Sequence, residues 1–482
     1  MLPGSTLDPS LIDALGRIVG DRWVRHRRAE LATFAMDGLP THESPPGAVV
    51  MPADRDEVIE VVRLLHLLGA PFVARGAGTG LSGGAVADPG TVLIALTRMN
   101  RILHVDRKRR RAVVQPGVVN ARLSEAIAPL GLQYVPDPSS QAACTIGGNV
   151  AENAGGPHCL KYGVTTNHVV ALEVVLPDAT VVRLGSRHGE PWGPDLVGLF
   201  IGSEGMFGIA TEITVRLEPI PAAVRTMLAD FGSVRAASEA VSAIIAAGIV
   251  PAALEMMDQA CVAAVESSIY AAGYPTDAAA VLLVEVDGPP AQVEAESGRV
   301  EALLTEHGAR TVRGATAAAE RARLWQGRKK AFGAMGRIAP DLAVQDAVVP
   351  RSSLPDILDR IGEIRDRHGL SIANVFHAGD GNLHPNINFD RRDPELARRA
   401  REASREIMAA CVAAGGSITG EHGVGNDKLG YMPLIFDAET LGAMQAVRRV
   451  FDPTERANPG KVVPTHACRE WRALREERLA VP

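Results

Sequence analysis

Two histidines, His377 and His384, lie on either side of a short glycine-containing stretch whose pattern is typical of a strand, a tight turn and a second strand. If residues 379–382 form a four-residue loop, the two histidines face each other across the hairpin, with Cβ atoms roughly 4.5 to 5.5 Å apart. Asn386, two positions further on, points to the same face. Two imidazoles placed in this way can bind one metal ion, although histidines alone would equally suit a hydrogen-bonded structural pair.

A third metal ligand must come from elsewhere in the chain. The glycine-rich stretch 417–425 contains an adjacent carboxylate and imidazole, Glu421 and His422. His377, His384 and Glu421 would form a set of two histidines and one carboxylate that leaves coordination positions open for a substrate. Zinc, manganese and iron all suit these ligands, so the sequence leaves the identity of the metal open.

A glycine loop at 75–84 is the second group of residues suited to chemistry, and it contains a formal GxGxxG pattern. A dinucleotide-binding Rossmann turn would require a helix at the last glycine and an acidic residue about twenty positions later. A turn and a strand follow here instead, so we exclude that fold. Because glycines let backbone N–H groups converge, we expect the loop to bind a pyrophosphate rather than to be a flexible surface loop.

Two further stretches, 136–163 and 202–209, are also dense in small residues, which would let a flat ligand lie against the backbone. The order of the motifs resembles the FAD domain of the vanillyl-alcohol-oxidase-like, or PCMH-type, flavoproteins. The motifs are RGxGT and SGG at 75–84, DPSS at 137–140, TIGGN at 145–149, NAGG at 153–156, KYG at 161–163, GSEGxxGI at 202–209, and FDP with NPGKV at 451–462.

Within those flavoproteins the chain is similar to the FAD-linked D-2-hydroxyacid dehydrogenases, which include the flavin subunit of glycolate oxidase, D-lactate dehydrogenases and D-2-hydroxyglutarate dehydrogenase. The resemblance covers residues 45–464, nearly the whole chain. It implies FAD that is bound without a covalent link, because the loop lacks the histidine that attaches the flavin in some relatives. Met206 and Phe207 form a bulkier pair than the Thr-Leu that is commoner in the family.

The resemblance assigns residues to FAD in three groups. The pyrophosphate loop would contribute Arg75, Gly76, Gly78, Thr79, Gly80, Ser82, Gly83 and Gly84. The ribityl chain and the ring would lie along Pro138, Ser139, Ser140, Thr145, Gly147, Gly148, Asn153, Gly155 and Gly156. The remaining assigned residues are Ile209, along the adenosine half by its backbone, and Asn458.

The patterns HxGDGNLHxN and GEHGxG carry the metal site in that family. His422 resembles the base that removes a substrate proton, and Asn386 resembles a residue that binds the substrate oxygens. A metal on the α-hydroxyl would lower the pKa of that hydroxyl. His422 could then accept the proton near neutral pH while the α-hydrogen leaves as hydride to the flavin.

Arg328 is the candidate for binding a substrate carboxylate through its planar guanidinium, the alternative being a basic surface helix. Phe332 and Gln345 stand where a 2-hydroxyglutarate enzyme is expected to carry a hydroxyl residue and a lysine. Loss of these polar groups argues against a second substrate carboxylate, so we expect glycolate, D-lactate or an apolar 2-hydroxy acid. The alternatives are D-2-hydroxyglutarate dehydrogenase and a non-catalytic subunit of a glycolate oxidase complex that only relays electrons.

The elements that would position these residues indicate an α+β fold. The resemblance implies that this fold consists of a PCMH-type FAD-binding domain and an α+β substrate or cap domain. The expected division is 1–221 for the first part of the FAD domain, 222–414 for the cap domain, and 415–482 for a segment that completes both. Apolar patterns predict a helix at 54–68, and a strand at 252–255 followed by a helix at 256–271.

Composition restricts the partners. The formal net charge of −6 argues against nucleic acid. Because no two of the five cysteines form a CxxC, no iron–sulfur cluster is expected, and electrons must pass from the flavin to an external acceptor. An iron–sulfur subunit, a quinone or an electron-transfer flavoprotein would serve, and a homodimer or heteromer is expected. The N-terminus has no secretory signal pattern, so we expect a cytoplasmic protein that reaches a membrane only through a partner.

Overall fold

The structure is a computed structural model that describes residues 7–187 and 193–464 of the chain. The N-terminal residues considered for a signal, and Cys468, lie outside the described residues. Contacts divide the chain into two compact units. The first consists of residues up to Gly155, Val164–Pro219, and Glu421 onwards; the second consists of Gly156–Gly163 and Ile220–Gly420.

The described strands and helices follow one another in chain order. The strands are β1 (Val24–Arg25), β2 (Ala48–Val50), β3 (Phe72–Arg75), β4 (Val92–Ala95), β5 (Ile102–Asp106), β6 (Arg111–Val114), β7 (Leu132–Gln133), β8 (Val169–Val175), β9 (Val181–Gly185), β10 (Ile209–Arg216), β11 (Glu218–Pro219), β12 (Ala223–Phe231), β13 (Ala253–Asp258), β14 (Ala280–Gly288), β15 (Ala309–Ala315), β16 (Asp341–Val344), β17 (Ala347–Val348), β18 (Ser371–His377) and β19 (Asn382–Phe389). The helices are α1 (Pro9–Val19), α2 (Arg28–Ala32), α3 (Arg55–Leu68), α4 (Asn120–Ile127), α5 (Ile146–Glu152), α6 (Cys159–Tyr162), α7 (Thr165–His168), α8 (Leu196–Phe200), α9 (Val234–Ala246), α10 (Gln259–Glu266), α11 (Pro290–Glu306), α12 (Ala318–Lys329), α13 (Ala331–Met335), α14 (Leu354–His368), α15 (Pro394–Ala413) and α16 (Ala438–Phe451).

The first unit contains three sheets. A four-stranded sheet has the order β1-β2-β4-β3, in which β4 runs parallel to both of its neighbours. A five-stranded antiparallel sheet has the order β5-β6-β10-β8-β9, and β7 pairs with β11. The predicted helix at 54–68 is confirmed as α3, whose first turn is capped by the Asp54 side chain and whose buried side is the apolar stripe Val58, Val61, Val62 and Leu65.

The second unit contains an eight-stranded antiparallel sheet. Seven of its strands follow the order β15-β12-β14-β13-β18-β19-β16, and the eighth, β17, pairs with β19. The predicted strand at 252–255 continues to Asp258, so the helix begins three residues later than predicted, at Gln259. The reason is local: the Asp258 side chain accepts a hydrogen bond from the Cys261 N–H and caps the helix at that point.

The hairpin of β18 and β19 has a different register from the predicted one. His377 pairs with Asn382, and His384 lies opposite Val375, so the prediction that the two histidines are directly opposed is wrong. The turn consists of residues 378–381 because Gly381, at φ +80°, adopts the left-handed conformation that closes it. Since the register differs by two residues, the histidines still share one face of the sheet, as diagonal neighbours.

Within the described ranges, we find no helix with the length and hydropathy needed to cross a bilayer.

Candidate active site

His377 is oriented by a carboxylate on the neighbouring strand. Its Nδ1 lies 2.8 Å from Oε1 of Glu255, which stands directly opposite it where β13 pairs with β18. Because a carboxylate accepts hydrogen bonds, Nδ1 carries a proton, and whenever the ring is neutral its lone pair lies on Nε2. This is the arrangement by which metal-binding histidines are commonly fixed in one tautomer and one orientation.

Glu255 also binds Arg328, whose Nη2 lies 2.5 Å from Oε2, and both side chains are completely buried. Burial raises the pKa of Glu255, but the charge of Arg328 and the interactions with Arg328 and His377 outweigh burial and hold the pKa below its ordinary value. Glu255 therefore carries a negative charge in the interior of the sheet. Sequence reasoning missed it, and its only signal was a carboxylate inside an otherwise apolar predicted strand.

Arg328 lies on α12 but is fully buried, so the alternative of a basic surface helix is wrong for this residue. Nη2 is engaged by Glu255, at 3.5 Å from the His377 Nδ1. Nε and Nη1 make no hydrogen bond to any residue that the structure describes. Nη2 of the guanidinium is thus bound to Glu255, and the buried Nε and Nη1 groups could donate to a ligand.

His384 is oriented by the main chain. Its Nδ1 lies 3.2 Å from the carbonyl oxygen of Gln345 and 3.8 Å from Oδ1 of the buried Asp346. Both partners are acceptors, so Nδ1 again carries the proton and Nε2 carries the lone pair. The rings of His377 and His384 are nearly perpendicular, with centroids 5.2 Å apart. In their neutral forms these two imidazoles would have matching tautomers on one face, which suits a shared metal ion.

Three more predicted residues surround this histidine pair. Asn386 is buried, and its Nδ2 donates to the carbonyl oxygens of Ala373 and His384, while its Oδ1 has no partner among the described residues. Phe332 presents its ring to that of His384 at a centroid distance of 6.0 Å. The Gln345 side chain, a neutral amide, donates from Nε2 to Oγ of Ser404 at 2.9 Å.

Asp346, which sequence reasoning also missed, holds the chain just before Glu421. Its Oδ2 accepts hydrogen bonds from Oγ1 of Thr419 at 2.6 Å and from the backbone N–H of Gly420 at 3.0 Å. Glu421 is the next residue, and its Oε1 lies 4.0 Å from Nε2 of His422. The signal for Asp346 was a carboxylate directly after Gln345 in a strand-like segment, with no motif to mark it.

The loop 76–84 has the backbone that an anion requires. None of its N–H groups donates to an acceptor in the part of the chain that the structure describes. Gly78 and Gly83 have φ of +69° and +72°, conformations that other residues adopt at a cost. The Arg75 guanidinium donates to the carbonyl oxygens of Met36 and Ala85, and these hydrogen bonds link the start of the loop to two neighbouring segments. These features suit a pyrophosphate.

The remaining residues assigned to FAD belong to the first unit, except Gly156, which begins the short segment of the second. A Cβ on Gly76 would lie 2.3 Å from Oγ1 of Thr145, so only glycine allows this approach. Asn458 donates from Nδ2 to the carbonyl oxygen of Gly84 at 2.9 Å. Asn153 caps α5 in the left-handed conformation, and Ile209 is buried at the start of β10.

The bulky pair Met206 and Phe207 is accommodated by packing. Both residues are buried, and Phe207 stacks on Phe451 of α16 with ring centroids 4.5 Å apart. Nη1 of Arg448, on the same helix, lies 3.3 Å from the Met206 sulfur. The substitution for Thr-Leu therefore fills space between α16 and the GSEG turn.

Comparisons with known proteins identify the family of the chain. Residues 220–462 match the family described as FAD linked oxidases, C-terminal domain, and residues 46–185 match an FAD binding domain. The glycolate oxidase subunit GlcD of Escherichia coli (strain K12) is 46% identical over 466 residues, 96% of this chain and 93% of that protein. The mitochondrial D-lactate dehydrogenase (cytochrome) of Arabidopsis thaliana is 31% identical over 426 residues, 88% of this chain and 74% of that protein.

Among solved structures, p-cresol methylhydroxylase with bound substrate is similar, with a TM-score of 0.80 at 18% identity, covering 94% of this chain and 96% of that one. This likeness shows a shared fold. The predicted α+β fold with a PCMH-type FAD-binding domain is confirmed, and so is FAD as the cofactor.

Proposed function

We propose, from the premise that this chain belongs to the family of FAD-linked oxidases, that it oxidises a D-2-hydroxy acid with one carboxylate to the 2-oxo acid. Glycolate and D-lactate are the expected substrates, because the similar proteins include a glycolate oxidase subunit and a D-lactate dehydrogenase. Non-covalent FAD would accept hydride from the substrate carbon, and a metal, if bound, would lower the pKa of the substrate hydroxyl.

The observation that carries the proposal is the pair His377 and His384, fixed through Nδ1 by Glu255 and by the Gln345 carbonyl. This arrangement supports Nε2 coordination of zinc, manganese or iron by both rings. Glu421 would be the third ligand. Its support is chain connectivity, since Gly420 is bound to Asp346 beside His384 and successive Cα atoms lie about 3.8 Å apart.

The substrate would be held by its polar groups. The two unused donors of Arg328 suit a carboxylate, and Oδ1 of Asn386 suits a hydroxyl, which can donate to it. His422 would accept the hydroxyl proton. An imidazole is the side chain whose ordinary pKa allows this step near neutral pH.

Phe332 supports a small substrate. Its ring lies at the edge of His384, where a second carboxylate would meet an apolar surface in place of a donor. Leaving a charged group without a partner is costly, so a dicarboxylic acid should be a poor substrate. This argument favours glycolate or D-lactate over D-2-hydroxyglutarate.

Electrons would leave the flavin for a separate acceptor. The described cysteines, at positions 144, 159, 261 and 411, form no disulfide with one another, and the similar GlcD is a subunit of an oxidase. We propose that the chain is part of a heteromer. The electrons would pass to another subunit, to a quinone or to an electron-transfer flavoprotein.

Anaerobic flavin reduction tests the function. The FAD-loaded, metal-replete protein is mixed with D- and L-lactate, glycolate and D-2-hydroxyglutarate, and the visible flavin absorbance is followed. Bleaching by glycolate or D-lactate that stops after chelation, and returns with added metal, would support the proposal. Flavin that stays oxidised with the whole panel would refute it. Bleaching by D-2-hydroxyglutarate alone would refute the argument from Phe332.

A further inference from the structure

Glu204, which was not among the predicted site residues, touches the segment that follows His422. Its Oε1 accepts hydrogen bonds from the backbone N–H groups of Val424 and Gly425, at 2.8 and 3.0 Å. All three residues are buried. A carboxyl oxygen that accepts two backbone N–H groups restricts both peptide planes, and the hydrogen bonds are strongest when the carboxyl is ionised.

Glu204 is itself held rigidly. It adopts a left-handed conformation, with φ +49°, in the turn of the GSEG motif. Its backbone N–H donates to the carbonyl of Ala151 at 2.8 Å, and its carbonyl oxygen accepts from Nδ2 of Asn458. A non-glycine residue in this conformation is strained by about 1 kcal/mol or more, which the surrounding contacts must offset. The backbone that carries the Glu204 carboxylate is thus held in place by hydrogen bonds on both sides.

The two glycines of the segment 421–427, Gly423 and Gly425, stand where an added Cβ would collide with neighbouring atoms. A Cβ on Gly423, at φ +85°, would lie 2.7 Å from Oε1 of Glu204 and 2.5 Å from Oε2 of Glu152. The N–H groups of Asn426 and Asp427 both donate to the carbonyl oxygen of Ser82, in the glycine loop. The chain after His422 is therefore tied at one end to the glycine loop and in its middle to Glu204.

We propose that Glu204 is a positioning residue for His422, whose side chain it orients by holding the backbone of Val424 and Gly425. This inference rests on the proposed function, in which His422 is the base. A base misplaced by about 1 Å can lose roughly 10²-fold in rate, so an anchor two residues away affects the reaction without touching the substrate.

Amide hydrogen exchange tests the anchor independently of any reaction. We compare the peptide that contains 421–428 in the FAD-loaded wild type, Glu204→Ala, Glu204→Gln and Glu152→Gln. Exchange should become faster in Glu204→Ala. It should stay close to the wild-type rate in Glu204→Gln, whose amide oxygen still accepts both N–H groups, and in Glu152→Gln, whose side chain makes no such bond. Unchanged exchange in Glu204→Ala would overturn the proposal, whatever the enzyme does with its substrate.

Flavin reduction then tests the consequence. Glu204→Ala should retain FAD and lower the limiting rate of flavin reduction by roughly 10- to 100-fold, with the apparent substrate Kd changed less than about threefold. Glu204→Gln should restore most of the rate. In a His422→Ala background, Glu204→Ala should cause little further loss, because a residue that acts through His422 has nothing left to position.

Three results would overturn this role: an undiminished rate in Glu204→Ala, an equal loss in Glu204→Gln, or a full further loss in the His422→Ala background. If the wild-type flavin is not reduced by any 2-hydroxy acid, the proposed function fails. In that case the exchange experiment still decides whether Glu204 anchors the segment.

Discussion

At the scale of single residues, the groups that orient the site were harder to recognise than the groups that would perform the chemistry. His377, His384, Glu421 and His422 stand in spaced motifs, so their types and positions indicated a metal and a base. Glu255 and Asp346 have no motif, and they enter the site because β13 lies beside β18 and because Thr419 and Gly420 bind Asp346. Contacts between distant segments decide such roles, and a single sequence does not reveal them.

Replacing the proposed base should separate chemistry from binding. We expect His422→Ala to keep FAD and metal but to reduce the rate of flavin reduction by roughly 10²- to 10⁴-fold, the usual contribution of a general base. Stopped-flow absorbance, with metal analysis of the same sample, measures both. His104→Ala, at an exposed position on β5, is the control. A rate within a few-fold of wild type would remove His422 from this role.

Replacing the carboxylate behind His377 should weaken metal binding. Glu255→Gln removes the negative charge that raises the basicity of the His377 ring and pairs with Arg328, so the metal Kd should rise by roughly 10- to 100-fold. Metal content after dialysis against a graded chelator measures the change. Asp258→Asn is the matched control, since Asp258 lies on the same strand and binds Asn374 instead. Equal metal retention in both variants would contradict the role of Glu255.

At the scale of elements, periodicity located the hairpin, and the turn decided its register. The alternating pattern around 374–389 was sufficient to place both histidines and Asn386 on one face, since a shift by two residues preserves faces. It was not sufficient to choose residues 378–381 as the turn, because that choice depends on which glycine takes a positive φ. Gly379 and Gly381 were both available, and Gly381 is the one that takes it.

The glycine loop allows a test at the same scale. Gly83→Ala adds a Cβ where φ is +72° and where Oδ1 of Asn426 lies 2.1 Å away, so the loop must distort. We expect the Kd for FAD to rise by about tenfold or more, equivalent to roughly 1–2 kcal/mol of strain. Titration of the apoprotein with FAD, followed by flavin fluorescence, measures the affinity. Gly90→Ala, where an added Cβ meets no atom within 4 Å, should bind FAD like the wild type. Equal affinities in the two variants would contradict the assignment of the loop to the pyrophosphate.

At the scale of the whole molecule, the chain order of the motifs was more informative than any single motif. It indicated an FAD domain interrupted by a second α+β layer. The fold comparison confirms the α+β fold with a PCMH-type FAD-binding domain. The predicted domain division at 221 and 414 stays a prediction about folding domains. Contacts assign 156–163 and 415–420 to the second unit, two short segments whose membership depends on which distant strands they touch.

Stability of the whole molecule should depend on pH through Glu204. Burial raises the pKa of Glu204 from 4.5 to about 7, although the N–H groups of Gly425 and Val424 and the charge of Lys428 lower it. The neighbouring Glu152 carboxyl is also buried, and its pKa lies well above its ordinary value because of burial and the nearby Glu204 and Asp37. The folded state therefore binds protons more tightly than the unfolded chain does. Such a group contributes most to the free energy of unfolding below its unfolded pKa, near 4.5, and that contribution is lost as the pH rises to about 7.

Because Gln cannot ionise, Glu204→Gln should remove this dependence. The difference in the free energy of unfolding between variant and wild type should grow in favour of the variant by about 2–3 kcal/mol from pH 4.5 to 7.5. Above pH 7.5 this difference in the free energy of unfolding should stay constant. Urea unfolding of the FAD-loaded proteins at several pH values measures the difference, with Glu60→Gln, at a largely exposed position of α3, as the control. Parallel pH profiles for wild type and Glu204→Gln would show that Glu204 is ionised throughout this range, held so by the two N–H groups and Lys428.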